Sequence, residues 1–366
     1  MSDEATAEPN EPMFRISEGD RVAVTGAAGF IGAAVTRALI ERGARVRAMV
    51  EPGRPAPNLD DLEVEIIEAD VRDETSVRRG VDGARFVFHL AALYGFWPRD
   101  PGVFYDINVE GSRTVLATAF DAGCERACYT STVATIGLQR TIIGEAARED
   151  DPAQIEHLFG SYKRSKYVAE HEVLRMAAQG MPLVLVQPTF PVGPGDERPT
   201  PTGKVVLDFL QGKMPGYVQT TFNVAHVDDL AQGHLAAIER GRQGRSYICG
   251  GENLEMSELL ATLATVSGLP FPDHKVPVAL AMAAAWASDT IEGRLLGREP
   301  HVPLEGARMS ATQMRFDDSR ARDELGYSSR PAAESLVDAT ADFLDRGLLP
   351  TARAEIVRRA LALRPT

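Results

Sequence analysis

The chain has 366 residues, 44% of them hydrophobic and 25% charged, with a formal charge of -13 and an isoelectric point near 5.1. That is enough chain for one large or two medium domains of ordinary globular composition, and its acidity argues against a general nucleic-acid binder. Three cysteines, Cys124, Cys128 and Cys249, are too few for a disulfide framework and fit a reducing compartment.

Residues 1–18 are acidic and polar, so a flexible tail is expected there, without the basic start or apolar core of a signal peptide. No apolar run reaches membrane-spanning length. The longest covers residues 276–287.

The first strand is Arg21-Val-Ala-Val-Thr25, and Gly26-Ala-Ala-Gly29-Phe30-Ile31-Gly32 follows at once, opening a helix. That order is the context a dinucleotide-binding loop requires. Gly26 permits a tight turn, Gly29 lets backbone approach a pyrophosphate, and Gly32 allows close helix–strand packing. Ala28, Phe30 and Ile31 complete the loop, and the helix N-terminus offers amides to phosphate. The second strand, 45–50, ends at Glu51, whose carboxylate suits ribose hydroxyls and repels a 2′-phosphate. NAD(H) is therefore favoured, while Arg47 and Arg54 keep NADP(H) open. A third strand, 64–68, leads to Asp70 and Val71, placed either to flank adenine or, for Asp70, to cap the next helix.

A fourth strand, 85–90, ends in Leu90-Ala91-Ala92, small residues that let a cofactor pass. The aromatic loop after it, with Tyr94 and Trp97, either folds on its own core or walls an apolar pocket. Asn108 lies in a helix expected over 103–122. A fifth strand, 126–130, delivers Thr130, Ser131 and Thr132, whose hydroxyls either touch a substrate carbonyl or end the chain segment. Cys124 and Cys128 stand near it without further ligands at zinc spacing, so no metal site is expected.

Tyr162-Lys-Arg-Ser-Lys166 sets a phenol and an ammonium one helical turn apart on one face. An ammonium there favours phenolate, and a phenol can pass a proton to an alkoxide. A sixth strand, 182–187, is followed by Pro188-Thr189-Phe190-Pro-Val192. The alternation of strands and helices predicts an α/β, Rossmann-type doubly wound parallel sheet, with a smaller C-terminal α/β substrate-binding lobe.

The glycine loop, Asp70, His89-Leu-Ala-Ala92, Tyr129-Thr-Ser-Thr132, the Tyr162–Lys166 motif, Pro188-Thr189 and His226-Val-Asp-Asp229 together resemble the extended short-chain dehydrogenase/reductase family across residues 20–347. The chain looks most like its branch of dihydroflavonol reductases, 3β-hydroxysteroid dehydrogenases and hopanoid-associated sugar epimerases. A bacterial ceramide-pathway ketoreductase belongs to the same broad group. Segments that carry this likeness are Tyr94-x-x-Trp97-x-Arg99-Asp100, Thr200-Pro-Thr-Gly203 and Gly250-Gly-Glu-Asn253.

The resemblance implies Tyr162 as acid/base and Lys166 as the nicotinamide-ribose ligand that lowers the tyrosine pKa, with Thr132 orienting the carbonyl. Serine is usual at that last position, and Ser131 is the fallback. Arginine is frequent in this branch where Glu51 stands. Thr130, Pro188 and Thr189 would border the cofactor, and Phe190 and Val192 the substrate. His226 would link the two lobes, and a homodimer is expected.

Residues 19–190 would be mainly the nucleotide domain and 191–347 the substrate lobe, with about 222–250 returning to the first. A mostly apolar helix over 277–296, carrying Trp286, is expected to pack over the pocket or to gate it. Residues 348–366 would form a tail or a short basic amphipathic helix, packed or lying on an anionic membrane. These readings favour reduction of a ketone on a large hydrophobic substrate, such as a 3-oxo-sphingolipid or 3-oxosteroid, by a cytoplasmic enzyme with possible peripheral membrane contact. An NAD-dependent nucleotide-sugar epimerase or dehydratase shares the same triad. A nonenzymatic dinucleotide sensor is the reading from another class.

Overall fold

The computed structural model describes residues 14–95, 100–151, 153–295, 298, 300 and 304–364. The strands are β1 (Arg21–Thr25), β2 (Arg45–Val50), β3 (Glu65–Glu68), β4 (Phe86–His89), β5 (Arg126–Thr130), β6 (Leu183–Pro188), β7 (Phe190–Val192), β8 (Thr221–His226), β9 (Ser246–Cys249) and β10 (Glu252–Glu255). Seven of them form a parallel sheet in the order β3-β2-β1-β4-β5-β6-β9. Its central members are apolar without alternation because both faces are covered: every residue of β4 and β6 is buried.

One face is covered by α1 (Phe30–Glu41), the other by α2 (Glu74–Val81). On that second face the chain runs through α3 (Gly102–Tyr105), a π-turn at Asp106–Gly111 and α4 (Ser112–Asp121). The expected single helix over 103–122 is thus interrupted. Gly111 lies against Val71, where a Cβ would come within 2.7 Å of Cγ2. The turn also carries Asn108 inward to bond Leu93 and Ser165.

After the short α5 (Gln139–Ile142) comes α6 (Ser161–Ala178), packed on the second face, and later α8 (Val227–Arg240) on the first. The strand order reverses between β1 and β4, which opens a crevice at the carboxyl ends of the strands.

A second sheet, β10-β8-β7, anchors the other core. Around it lie α7 (Pro201–Gln211), α9 (Met256–Ser267), α13 (Ala332–Asp345) and α14 (Thr351–Ala362), with Phe209, Leu260, Phe343 and Val357 buried together. Between α9 and α13 the chain forms α10 (Val278–Ser288), a π-turn at Asp289–Leu295, α11 (Leu304–Ser310) and α12 (Ser319–Leu325). The C-terminal segment is a packed helix, its Arg353 donating to the carbonyls of Leu210 and Phe209. Among the described residues no helix is long and apolar enough to cross a membrane.

Candidate active site

Gly26 has φ +69°, and a Cβ there would meet the Ala91 nitrogen at 2.7 Å; at Gly32 it would meet the Gly26 oxygen at 2.1 Å. The loop therefore packs flat under the start of α1, whose N-cap, Gly29, has no side chain to occupy the first-turn amides. One cavity of about 2040 Å³ opens from this loop along the strand ends and into the C-terminal lobe. Every cofactor-side residue named from the sequence, from Gly26 to Thr189, lines it, together with Tyr94, Thr132 and Phe190.

A dinucleotide fits what is present. The glycines leave backbone bare, and Thr189 Oγ1 is buried in the wall without a hydrogen-bond partner among the described residues. Glu51 follows β2 and pairs with Arg54 at 2.9 Å. Asp70 binds Arg72 at 2.6 Å, whose hydrogen bond outweighs burial and holds the carboxyl below its usual value. Asp73, not Asp70, caps α2 by accepting from the amides of Thr75 and Ser76.

Tyr162 and Lys166 project from the first turns of α6, which starts from Gly160 at φ +84°. Burial pushes the Tyr162 phenol up to about 12, against a smaller opposing pull from the neighbouring Thr132 hydroxyl. Lys166 does not reach the phenol. Its Nζ donates to Tyr129 Oη at 2.9 Å and to the Thr130 carbonyl at 2.7 Å, and its burial drives the amine down to about 7 against the pull of Glu170. The expected lowering of the tyrosine by the lysine is therefore absent from this arrangement, because the ammonium is held at the end of β5.

Thr132 and Ser131 both line the cavity but sit in different surroundings. Ser131 Oγ donates to the buried carboxylate of Glu170, which also accepts from Thr135 at 2.9 Å and from Gln187 at 3.1 Å. That network engages the Ser131 hydroxyl, while the Thr132 hydroxyl lies beside the phenol. Nearby, His89 bridges Thr25 and Ser112 at 2.7 and 2.9 Å; complete burial pushes it down to about 3, so it is a neutral structural link.

Two substrate expectations fail. Val192 is 1% exposed and belongs to the core of the second lobe, since β7 turns it away from the cavity. Trp286 is 64% exposed on the outside of α10, while Met282 of the same helix reaches the cavity wall. Trp97 lies outside the described residues. The three cysteines are free and buried, and no metal-holding group of side chains occurs among the described residues.

Sequence reading missed three polar wall residues. Lys163 stood inside the quoted motif without a role, and Glu305 and Arg308 lie on α11, where no motif marks them. His226, buried at the start of α8, sits 3.2 Å from Asp338 of α13, in the expected position between the lobes.

The sequence profile of the NAD dependent epimerase/dehydratase family matches residues 22–250. The chain belongs to that family. It is an NAD(P)-dependent enzyme of the extended short-chain dehydrogenase/reductase type, and the alternative of a nonenzymatic sensor falls.

A Synechocystis protein provisionally named a dihydroflavonol 4-reductase is 41% identical over 92% of this chain and 98% of its own. The crystal structure of gox2253 superposes with a TM-score of 0.80 at 40% identity, covering 91% of this chain and all of that one. A nucleoside-diphosphate-sugar epimerase from Pseudomonas aeruginosa superposes with a TM-score of 0.75 at 26% identity, covering 90% and 99%.

The family match and the epimerase likeness overturn the expectation of ketone reduction on a hydrophobic, lipid-like substrate. Folding sets Lys163, Lys204 and Arg308 in the same cavity wall.

Proposed function

We propose that this enzyme is an NAD-dependent nucleotide-sugar epimerase or dehydratase, oxidising a secondary alcohol transiently and restoring the cofactor before product leaves. The observation that carries this reading is a cavity of about 2040 Å³ whose wall includes Lys163, Arg308 and Lys204, the last paired with Asp208 at 3.0 Å. Ordinary ligand pockets span roughly 300–1,000 Å³, so the space admits a dinucleotide and a second large ligand together. The cations supply charge for a diphosphate.

NAD is favoured over NADP for a local reason. Each arginine near the adenosine end already has an acidic partner: Arg54 with Glu51, Arg72 with Asp70, and Arg47 with Glu65. A 2′-phosphate would have to compete with Glu51 and Asp70 for those charges.

Bound NAD would accept a hydride from the alcohol carbon and later return it. The chain's own part is proton handling and orientation. Thr132 and Tyr162 would hold the substrate oxygen between them, Thr132 by a fixed hydroxyl at the start of a short 3₁₀ turn. As phenolate, a form that the positive charge of a bound nicotinamide would favour against the burial that raises this phenol, Tyr162 would take the hydroxyl proton as the alcohol is oxidised and give it back on reduction. Lys166 would hold the nicotinamide ribose.

Purified enzyme incubated with UDP-glucose, UDP-galactose, UDP-glucuronate and dTDP-glucose should convert at least one sugar without net change in nicotinamide. Tyr162→Phe should slow that conversion by roughly 10²–10⁴-fold. Stoichiometric consumption of reduced nicotinamide with no sugar converted would refute the reading.

A further inference from the structure

We propose that Glu305 is a second acid–base group of this site, exchanging the proton on the carbon beside the oxidised centre. The inference rests on the transient-oxidation reading above. Glu305 reaches the cavity from α11, in the second lobe, and its carboxylate lies over Gly160, the residue from which α6 starts. The fit leaves no room for a side chain there: a Cβ on Gly160 would sit 2.2 Å from the Glu305 Cδ. Its Oε1 is shielded from solvent yet has no hydrogen-bond partner among the described residues. A carboxylate oxygen left bare in a cavity wall is a costly arrangement unless a ligand group completes it.

The groups that face this carboxylate are Lys163 and Arg308, both cations, and the Tyr162 phenol, which Tyr94 also faces. Arg308 is itself stacked 4.4 Å over the Phe159 ring. Burial raises Glu305 to about 7 despite the two cations, so both its ionised and neutral forms are populated near neutral pH. Val133 and Ala134, which follow Thr132, carry no ionisable group, so the strand end offers no competing base.

A carbonyl at the oxidised carbon makes the neighbouring C–H bond acidic. Glu305 takes that proton, and the electron pair of the broken bond moves to the carbonyl oxygen, where Thr132 and Tyr162 hydrogen-bond the enolate. Glu305 then passes the abstracted proton to solvent, and a proton from water delivered to the opposite face inverts the neighbouring carbon. Alternatively, the enolate pair expels a hydroxyl from the next carbon, which leaves as water with the proton from Glu305. Inversion confined to the oxidised carbon needs neither step, so Glu305 separates these reactions from a simple carbinol epimerisation.

The test uses the full chain with NAD in D₂O, with UDP-glucose, UDP-glucuronate and dTDP-glucose as probes. Deuterium at the carbons beside the oxidised one is read by mass spectrometry, and nicotinamide reduction by absorbance. The native chain should take up deuterium. Glu305→Gln should lose uptake by about 100-fold, far more than it loses nicotinamide reduction, and Glu305→Asp should recover part of it. Unchanged thermal unfolding and NAD binding would show that each variant is folded. Deuterium entering Glu305→Gln at the native rate, or nicotinamide reduced by the native chain with no uptake, would overturn the role. No nicotinamide reduced with any probe would instead sink the transient-oxidation reading itself.

Discussion

Lys166 is 2% exposed, and its amine gives up its proton near neutral pH while an unfolded chain keeps it to about 10.5. Between those values the unfolded state binds more protons, so this group makes stability rise with pH, by at most about 1.4 kcal/mol per unit. Denaturant melts at pH 6 to 9 should show that component in the native chain and its loss in Lys166→Met. An equal slope in both would place the amine's titration elsewhere. The same variant strips a donor from Tyr129 and Thr130, so it should also be less stable at pH 9.

Gly32 makes a second residue-scale case, because there the neighbour is backbone and cannot move aside. Gly32→Ala should abolish NAD binding measured by nicotinamide or protein fluorescence, since the Gly26 oxygen stands 2.1 Å from the added carbon. These glycines were legible in the sequence because a bare backbone has no substitute. Glu305 was not, because a lone carboxylate on a short helix has meaning only once Gly160 and Tyr162 stand beside it.

At the scale of elements, sequence pattern placed strands better than helix ends. β1, β2 and β5 fall on their predicted residues, since a short apolar run flanked by polar turns has little freedom in a parallel sheet. The cap of α9 is Glu255, which exchanges backbone and side-chain bonds with Glu258, while the nearby Ser257 hydroxyl accepts from Gln219. Glu255→Ala should therefore cost about 1 kcal/mol in urea unfolding, and Ser257→Ala distinctly less. The break in the α3–α4 run escaped prediction. A π-turn is chosen by what Asn108 must reach, and its partners Leu93 and Ser165 are distant in sequence or on another helix.

The whole molecule depends on ties between its two cores. Arg330 grips Asp229 of α8 through Nε and Nη2, at 3.0 and 2.8 Å, just before α13 begins. His226 faces Asp338 beside it. Arg330→Ala should lower stability by about 2 kcal/mol in denaturant melts. It should also weaken sugar-nucleotide binding more than NAD binding, because it loosens the lobe that brings Glu305 and Arg308 to the cavity.

The sequence by itself determined the doubly wound sheet, the dinucleotide loop and the proton-transfer motif. Each is a local pattern whose chemistry is carried by neighbouring residues. Only the tertiary structure decided which hydroxyl faces Tyr162, where Lys166 is held, and which polar groups line the second half of the cavity. Those depend on side chains brought together from different elements, some near in sequence, such as Thr132 and Tyr162, and some far apart, such as Tyr162 and Glu305, whose meeting is set by how the two lobes pack. Hydrophobic residues misled for the same reason. Trp286 and Val192 read alike as pocket walls, yet one faces outward and the other a separate core.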